Sequence, residues 1–258
     1  MRSILDIPYK ALSGLAHALF FPLYSLFSSK TGFTIFFPWI SGWFAISRGQ
    51  VFPVAAPHLV ALEYFRHFVP RKGDTIFDVG GELGFETRQF SRLVGSSGKV
   101  FVFECLPGHL RALEAIAARL RNVQVVARAC WNTATELEFF VGNTPGSNTA
   151  VPEAKGQHGQ SLAKRDGDVL KVKAERLDDL WAVLHACGQV DFLKMDIEGA
   201  EYEALEGAAE MLKHTRYAVI AAYHMRDGVP TAARVDRILT ASGFVTRVDE
   251  NNHVYAWR

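Results

Sequence analysis

The stretch Thr75-Ile-Phe-Asp-Val-Gly-Gly-Glu-Leu-Gly84 decides the fold of this chain. An apolar run within it ends at Asp78, and glycines follow. A second apolar run, Val100-Phe-Val-Phe103, ends at Glu104, which lies 20 residues after Gly84. This order predicts a buried strand, a glycine turn, a helix and a second strand that ends in an acid. Such a unit places backbone N–H groups and a carboxylate around a cofactor that contains adenosine.

The rest of the chain continues the alternation of strands and helices. Strands are predicted at 75–79, 99–103, 123–129, 190–195, 217–223, 244–248 and 254–257, and helices at 59–68, 84–94, 107–120, 177–186, 201–212 and 232–242. Alternating βαβ units imply a doubly wound α/β fold, in which helices cover both faces of a mostly parallel sheet. Two further strands, 136–141 and 169–174, are predicted to pair as an inserted hairpin around a long polar loop at 142–168.

Composition limits the classes of function. The 258 residues can bury one full core, and the net charge of +1 at pH 7 provides no field that would recruit nucleic acid. The three cysteines, Cys105, Cys130 and Cys187, form no C-x-x-C pair, which argues against a zinc knuckle or a disulfide framework. We therefore expect free thiols in a reducing compartment, and a cytoplasmic protein that does not bind nucleic acid.

Residues 1–50 are predicted to form an apolar, aromatic extension, and residues 51–258 the catalytic domain. No Asp or Glu occurs from Ile7 to Leu62, and leucines recur at helical spacing near the N-terminus. Three interpretations of this helical extension remain open: a cap packed on the catalytic domain, an in-plane membrane anchor, or a transmembrane span or signal anchor. Peripheral association with the inner face of a membrane is therefore one expectation. The sequence does not define an oligomeric state.

The glycine pattern distinguishes two classes of cofactor. Nicotinamide dehydrogenases also use strand, glycines, helix, strand and acid, but their signature is G-x-G-x-x-G, whereas this chain has D-x-G-G-x-x-G. Asp78 would then lie near a pyrophosphate, and phosphate charges beside a carboxylate are unfavourable. S-adenosylmethionine carries a sulfonium, an amino group and no phosphate, so the same acid favours it. An NAD-dependent oxidoreductase is the less favoured alternative.

A larger set of motifs resembles that of a known family. It comprises Asp78-Val-Gly-Gly-Glu-Leu-Gly-Phe-Glu-Thr87, Phe103-Glu104 with Pro107, Leu177-Asp-Asp-Leu180, Lys194-Met-Asp-Ile-Glu-Gly-Ala-Glu201 and Ala221-Ala-Tyr-His224. Over residues 51–258 the chain is similar to the FkbM family of S-adenosylmethionine-dependent methyltransferases. The resemblance implies a class I methyltransferase (Rossmann-like) fold, with a seven-stranded sheet that contains one antiparallel strand. Gly81 and Glu82 stand where members often have Ala and Asn, and Cys105 stands where Pro is common.

The resemblance and the strand ends together imply a cofactor site. Its predicted residues are Asp78, Gly80, Gly81, Glu82, Gly84, Glu104, Cys130 and Trp131. Asp78 would bind the amino group of the cofactor through water or the loop, and the glycines would let the backbone approach the methionine part. Glu104 would accept hydrogen bonds from the ribose hydroxyls. Trp131, which follows the third strand, would either stack on the adenine or belong to the core.

The predicted catalytic residues follow two neighbouring core strands. Asp196 and Glu198 come after the strand at 190–195, and His224 ends the next one. Carboxyl ends of parallel strands form the reactive crevice of an open α/β sheet, so these groups are expected at the methyl-transfer position. His224 or Asp196 is the expected general base for an acceptor hydroxyl. The three residues could also bind a divalent metal, but their spacing is not diagnostic, and no metal site is assigned.

The resemblance predicts the class of reaction as well. The expected function is O-methylation by S-adenosylmethionine of a hydroxyl on a sugar, a glycan, or a lipid-linked or natural-product acceptor. The alternative from another class is a membrane-surface binding protein that keeps the fold and has lost catalysis. The sequence does not identify the acceptor.

Overall fold

The computed structural model describes residues 35–39, 42–47, 50–54, 63–142, 147–157, 159–162, 169–184 and 188–258. The chain divides into two compact units, Met1–Glu63 and Tyr64–Arg258. The leucine-rich start of the extension and Cys187 lie outside the described residues. Among the residues that are described, no helix combines the length and the apolar character needed to cross a membrane.

The first unit contains a three-stranded antiparallel sheet. Its strands are β1 (Ile35–Trp39), β2 (Gly42–Ser47) and β3 (Gln50–Val54), with β2 in the middle. The sheet corrects the prediction of a helical extension for this part, because aromatic and β-branched residues favour strands and prolines interrupt helices. Pro38 lies in β1 and Pro53 in β3, the two edge strands, where a missing N–H is tolerated.

The second unit contains the predicted α/β core. Its strands are β4 (Thr75–Val79), β5 (Lys99–Glu104), β6 (Val123–Ala127), β7 (Ala129–Cys130), β8 (Thr135–Phe140), β9 (Val169–Glu175), β10 (Val190–Met195), β11 (Thr215–Ala221), β12 (Met225–Arg226), β13 (Val229–Pro230), β14 (Val245–Val248) and β15 (His253–Trp257). Its helices in the described residues are α1 (Phe85–Val94), α2 (Pro107–Ala117), α3 (Leu177–Val183), α4 (Glu201–Glu206), α5 (Ala209–Lys213) and α6 (Ala232–Ala241).

The main sheet has the strand order β14-β15-β11-β10-β4-β5-β6, and β15 runs antiparallel to both of its neighbours. The predicted seven-stranded sheet with one antiparallel strand is therefore confirmed. The chain runs outward from β4 to β5 and β6, and then returns to β10 on the other side of β4. This reversal opens a crevice at the carboxyl ends of β4 and β10, which is where ligands bind in open α/β sheets.

Large apolar side chains of the central strands fill the core. Phe77 on β4 is fully buried, and its ring centroid lies 5.3 Å from that of Phe101 and 5.0 Å from that of Phe103 on β5. Continuous apolar runs are typical of parallel strands that are buried on both faces. This packing fixes the strand ends from which the site residues extend.

The predicted hairpin is confirmed as part of a second sheet. β8 and β9 pair antiparallel, and the short β7 pairs with β9 in parallel. Part of the long loop between β8 and β9 is packed, because Val151, Ala154 and Leu162 are buried together. The backbones of Lys155 and Met225 exchange two hydrogen bonds of 2.9 and 2.7 Å. The insertion is therefore attached to the segment that follows β11.

Candidate active site

A crevice of about 800 Å³ opens at the carboxyl ends of β4, β5 and β10. This volume includes space that is open to solvent. The predicted residues on its walls are Gly80, Glu82, Glu104, Cys130, Trp131, Asp196 and Glu198. Wall residues that the sequence did not single out include Tyr64, Glu86, His109, Leu137, Phe139 and Lys194. Members of both predicted sets, for cofactor and for catalysis, thus share one space, whereas Asp78, Gly81, Gly84 and His224 do not line it.

The glycine turn between β4 and α1 is packed against its surroundings. Gly80 has a φ of 84°, and a Cβ there would lie 1.9 Å from the backbone oxygen of Asp196, so the position requires glycine. Gly81 and Gly84 do not line the crevice. An added Cβ at these two positions would meet side chains of β5 and α2 at 2.1 and 2.4 Å. They allow the turn to pack closely on that strand and helix, which differs from the predicted approach to the cofactor.

Asp78 is buried beneath the turn and does not line the crevice. The hydroxyl of Thr87 donates a hydrogen bond of 2.6 Å to its Oδ2, and the ammonium of Lys194 lies 3.3 Å from its Oδ1. Lys194 also donates a 2.6 Å hydrogen bond to the carbonyl of Gly80. Burial raises the pKa of Asp78, although Lys194 opposes the shift. Asp78 therefore acts on the crevice through Lys194 and the turn, and its burial prevents a direct contact with a ligand.

Glu104 ends β5 and lines the crevice. Its Oε1 accepts hydrogen bonds from the backbone N–H groups of Cys105 and Leu106, and its Oε2 accepts one from the N–H of Glu82. Nδ1 of His109 lies 3.3 Å from Oε2. Burial raises the pKa of Glu104, but the His109 contact and the backbone bonds outweigh it and hold the pKa below its usual value. The group is thus a fixed, ionised carboxylate at the position predicted to bind the ribose.

Two further carboxyl groups, Glu82 and Glu86, lie around the start of α1 and line the crevice. Burial raises the pKa of each to about 7, although His109 lowers that of Glu82 and Lys194 lowers that of Glu86. Near neutral pH each is therefore partly protonated. A bound cation stabilises the ionised form of a neighbouring carboxylate, so both groups favour a cationic ligand.

An apolar part of the wall comes from the segment after β6 and from the inserted sheet. It includes Cys130, Trp131, Leu137 and Phe139. Trp131 is partly buried against the apolar clusters of the inserted sheet and its loop, so it belongs to the core and to the wall at once. Burial raises the pKa of the Cys130 thiol, which keeps it neutral. A neutral, apolar surface of this kind suits a nucleobase.

Asp196 directly follows β10 and forms part of the acidic end of the crevice. Its Oδ2 accepts hydrogen bonds of 3.0 Å from Tyr64 and 3.1 Å from Tyr223. Its Oδ1 is buried and accepts no hydrogen bond from any residue that the structure describes. The carboxylate is therefore fixed through one oxygen, while the other faces Nε2 of His224 at 3.7 Å without a hydrogen-bond donor among the described residues.

His224 is buried next to this carboxylate, with 1% of its side chain exposed, and does not line the crevice. Its Nδ1 lies 2.9 Å from Oε1 of Glu201, and its Nε2 lies 3.2 Å from Oε2 of Glu198. Burial lowers the pKa of His224, but Glu201 and Glu198 raise it well above 6.5. The imidazole therefore carries a proton at neutral pH while it lies between these two acids.

Glu198 is the remaining predicted catalytic group, and it has a φ of 57°. Burial raises its pKa to about 7, although His224 lowers it. A base whose pKa lies near the working pH is effective, whereas a histidine that already holds a proton cannot accept another. This contrast favours Glu198 over His224 as the base, and differs from the sequence prediction of His224 or Asp196.

The functional residues that the sequence missed are Tyr64, Tyr223 and Lys194. Lys194 belongs to the quoted family motif and Tyr223 precedes His224, so their positions beside predicted residues were a usable signal. No such signal existed for Tyr64, because the apolar spacing of residues 59–68 predicts a helix there. Residues 63–67 form turns and bends instead, and this conformation places the Tyr64 hydroxyl at Asp196.

The charges on the walls test whether S-adenosylmethionine fits the crevice. The wall contains five carboxyl groups, from Glu82, Glu86, Glu104, Asp196 and Glu198. The main buried cation, Lys194, is already paired with Asp78. A sulfonium and an amino group are attracted to such a set, whereas a pyrophosphate is repelled. The residues therefore fit S-adenosylmethionine better than a nicotinamide dinucleotide.

Comparisons with known proteins agree with this geometry. The family profile described as Methyltransferase FkbM domain matches residues 78–246. The curated protein Methyltransferase sdnD of Sordaria araneosa is 29% identical over 157 residues, which cover 52% of this chain and 60% of that protein. The crystal structure of methyltransferase FkbM from Methylobacillus flagellatus KT matches with a TM-score of 0.51 at 17% identity, over 75% of this chain and 46% of that chain. The class I methyltransferase fold is thus confirmed, and the chain spans less than two thirds of the length of either relative.

Proposed function

Because the chain belongs to the FkbM family of S-adenosylmethionine-dependent methyltransferases, we propose that it transfers the methyl group of this cofactor to a hydroxyl group. The observation that supports the reaction most is that Asp196 and Glu198 share one crevice with Glu104. An acid suited to the ribose and acids suited to an acceptor hydroxyl therefore face the same space. In this proposal the acceptor is a sugar, a glycan, or a lipid-linked or natural-product hydroxyl compound.

The cofactor end of the crevice recognises the nucleoside. When bound, the cofactor supplies an electrophilic methyl group on its sulfonium. Glu104 accepts hydrogen bonds from the ribose hydroxyls, and because its four acceptor sites are already in use, the longest contact, with His109 at 3.3 Å, gives way. Glu82 and Glu86 would face the positive charge, and the apolar wall around Trp131 would receive the adenine.

The acceptor end of the crevice activates the hydroxyl. Glu198 would accept its proton as the oxygen attacks, and Asp196 lies beside it as the second carboxylate of this end of the crevice. His224, fixed by Glu201, stabilises the ionised form of Glu198. General-base assistance of this kind contributes roughly 10²–10⁴ in rate, and alignment of the two reactants contributes more.

In this proposal the extension at residues 1–50 docks the protein on a membrane. Its aromatic composition, with no acidic residue after Asp6, supports docking on the cytoplasmic face of a membrane, close to a lipid-linked acceptor. The test is co-sedimentation of the full chain with vesicles that contain anionic lipid, and with neutral vesicles as the control. Failure to sediment with either kind would contradict membrane docking and leave the reaction unaffected.

The reaction itself is tested in two steps. Mass spectrometry of the purified protein should detect co-purifying S-adenosylhomocysteine, and a tritiated-methyl screen on glycan and lipid extracts should label a product that survives mild base, as an ether does and an ester does not. Binding of the nucleoside without any labelled product would favour the catalytically inactive alternative. Calorimetric binding of NADH, with none of S-adenosylmethionine, would refute the proposal.

A further inference from the structure

We propose that Asp196, Glu198 and His224 form a binding site for one divalent cation of the Mn²⁺ type. The inference rests on the proposed function, since the cation would bind the acceptor hydroxyl beside the transferred methyl group. The cluster lies at the carboxyl ends of β10 and β11, where the sheet opens into the crevice.

The three side chains offer ligand atoms at distances that suit a single ion. Nε2 of His224 lies 3.2 Å from Oε2 of Glu198 and 3.7 Å from Oδ1 of Asp196. In an octahedral site with bonds of about 2.1 Å, adjacent ligand atoms lie about 3.0 Å apart and opposite ones about 4.2 Å apart. These two distances lie between the octahedral values, and all three ligand atoms lie within 4.8 Å of one another, so one ion reaches all three after side-chain movements.

The surroundings of His224 provide a second, independent observation. The fully buried carboxylate of Glu201 lies 2.9 Å from its Nδ1, and this carboxylate is itself fixed by the N–H of Gly199 and the hydroxyl of Thr231. In metal sites a carboxylate commonly faces the ring nitrogen that does not bind the ion, and it orients the imidazole. Glu201 lies at this position in ion-pair contact, although Nδ1 makes no hydrogen bond to the described residues. Nε2 of the buried His224 is directed at Glu198 and Asp196 in the same manner.

The orientation of Asp196 completes the site. Two tyrosine hydroxyls occupy Oδ2, while Oδ1 is buried, faces Nε2 of His224 and receives no hydrogen bond from the described residues. A buried acceptor without a donor is costly unless a cation or another ligand satisfies it. A cation at the centre of the cluster satisfies this oxygen and the carboxylate of Glu198 together, and it replaces the proton on Nε2 of His224, which is released to solvent.

The ligand set selects the kind of cation. Two carboxylates and one imidazole are less suited to Mg²⁺, which prefers oxygen ligands alone, than to a first-row ion such as Mn²⁺ that accepts both types. Three protein ligands leave coordination positions for water or for hydroxyl oxygens of the acceptor. With the cation bound, Glu198 is a ligand and no longer the base. Coordination itself would lower the pKa of the acceptor hydroxyl and orient it, which suits an acceptor with neighbouring hydroxyl groups.

The experiment is a titration of the full-length, EDTA-treated protein with Mn²⁺ alone, followed by electron paramagnetic resonance of the free ion and by calorimetry. One Mn²⁺ per chain is expected, with affinity lowered at least tenfold in Asp196→Asn and in Glu198→Gln. Glu86→Gln is the matched control, because it removes a crevice carboxyl outside the cluster and should leave Mn²⁺ binding unchanged. Melting temperatures of all variants, measured without metal, separate loss of the site from loss of the fold.

Each outcome has a defined meaning. Absence of binding up to about 1 mM Mn²⁺, the weak end of protein sites for divalent ions, would overturn the inference, as would equal binding by wild type and both cluster variants. In that case Glu198, Asp196 and His224 form an ion-pair cluster only. Methyl transfer that persists in excess EDTA, together with absent Mn²⁺ binding, would refute the cation and retain the reaction. Site-specific Mn²⁺ binding without any methyl transfer would retain the cation site and refute the reaction.

Discussion

The cofactor end and the acceptor end of the crevice are built in different ways. At the cofactor end, the carboxylate of Glu104 is held mainly by backbone N–H groups of its own strand end and of the glycine turn. At the acceptor end, Asp196 is held by the side chains of Tyr64 and Tyr223, and Tyr64 lies 132 residues away along the chain. Backbone donors persist when residues are substituted, whereas side-chain donors do not. Substitutions should therefore alter the position of Glu104 less than that of Asp196.

The two ends also differ in the ionisation of their acids. Hydrogen bonds outweigh burial at Glu104 and keep its pKa low, whereas burial dominates at Glu198 and raises its pKa to about 7. A permanently charged acid suits recognition, and an acid that gains and loses its proton near neutral pH suits catalysis. The carboxyl groups of one fold thus differ in pKa because they are surrounded by different hydrogen-bond donors.

The largest expected effect concerns turnover. Asp196→Asn and Glu198→Gln keep side-chain shape but remove charge at the acceptor end, and each should lower kcat by about 10²–10⁴ while the affinity for S-adenosylhomocysteine stays nearly unchanged. The exposed acid Glu153 provides the control variant Glu153→Gln. Tritiated-methyl transfer and calorimetry measure the two quantities. Wild-type turnover in both Asp196→Asn and Glu198→Gln would contradict the assignment of these two residues to the activation of the acceptor.

The next effect concerns the stability of the cofactor end. Gly80→Ala combines a φ of 84° with a Cβ placed 1.9 Å from a backbone oxygen, and should lower the free energy of unfolding by about 3 kcal/mol or more. Gly228→Ala is the matched control, since its φ of 79° is similar but nothing lies within 4 Å of the added Cβ, so the cost is about 1 kcal/mol. Thermal unfolding compares them. Equal losses would show that the close approach to Asp196 is unimportant.

A smaller effect is expected at the ribose acid. The substitution Glu104→Gln replaces one carboxylate oxygen with an amide NH₂ group. This group cannot accept hydrogen bonds from the surrounding backbone N–H groups, so binding of S-adenosylhomocysteine should weaken by about ten- to a hundredfold. The exposed Glu136 provides the control Glu136→Gln. Calorimetry measures the change. If Glu104→Gln binds as the wild type does, the ribose is held elsewhere.

The smallest effect concerns pH. The pKa values of Glu82 and Glu86 are raised to about 7, and a cation binds their ionised forms, so affinity for S-adenosylmethionine should rise with pH through 7, by up to about tenfold per group between pH 6 and 8. S-adenosylhomocysteine lacks the sulfonium charge and should show a smaller rise. Calorimetry with both ligands tests the difference. Parallel pH profiles would mean that these acids do not face the sulfonium.

The sequence predicts the sheet and the cofactor end well because their signals are local. Apolar runs define β4, β5 and β10, and the acid of Glu104 follows directly from a strand end. The complete burial of the Asp78 side chain was not predictable in the same way. Its burial depends on the pairing with Lys194, which comes from a strand more than a hundred residues later.

The acceptor end was only partly predictable, for the same reason. Asp196, Glu198 and His224 follow strand ends and were found, but the protonation of His224 depends on the buried Glu201 behind it. The role of Tyr64 depends on turns that replace a predicted helix. In the extension, apolar composition alone did not distinguish a helix from the sheet of β1, β2 and β3, although Pro38 and Pro53 favour the sheet.

The two main-chain hydrogen bonds between Lys155 and Met225 have an evolutionary consequence. They join the insertion to the strand end that carries His224 without using side chains, so nearly any residue other than proline preserves the attachment. Residues of the insertion are consequently free to diverge while the anchor persists.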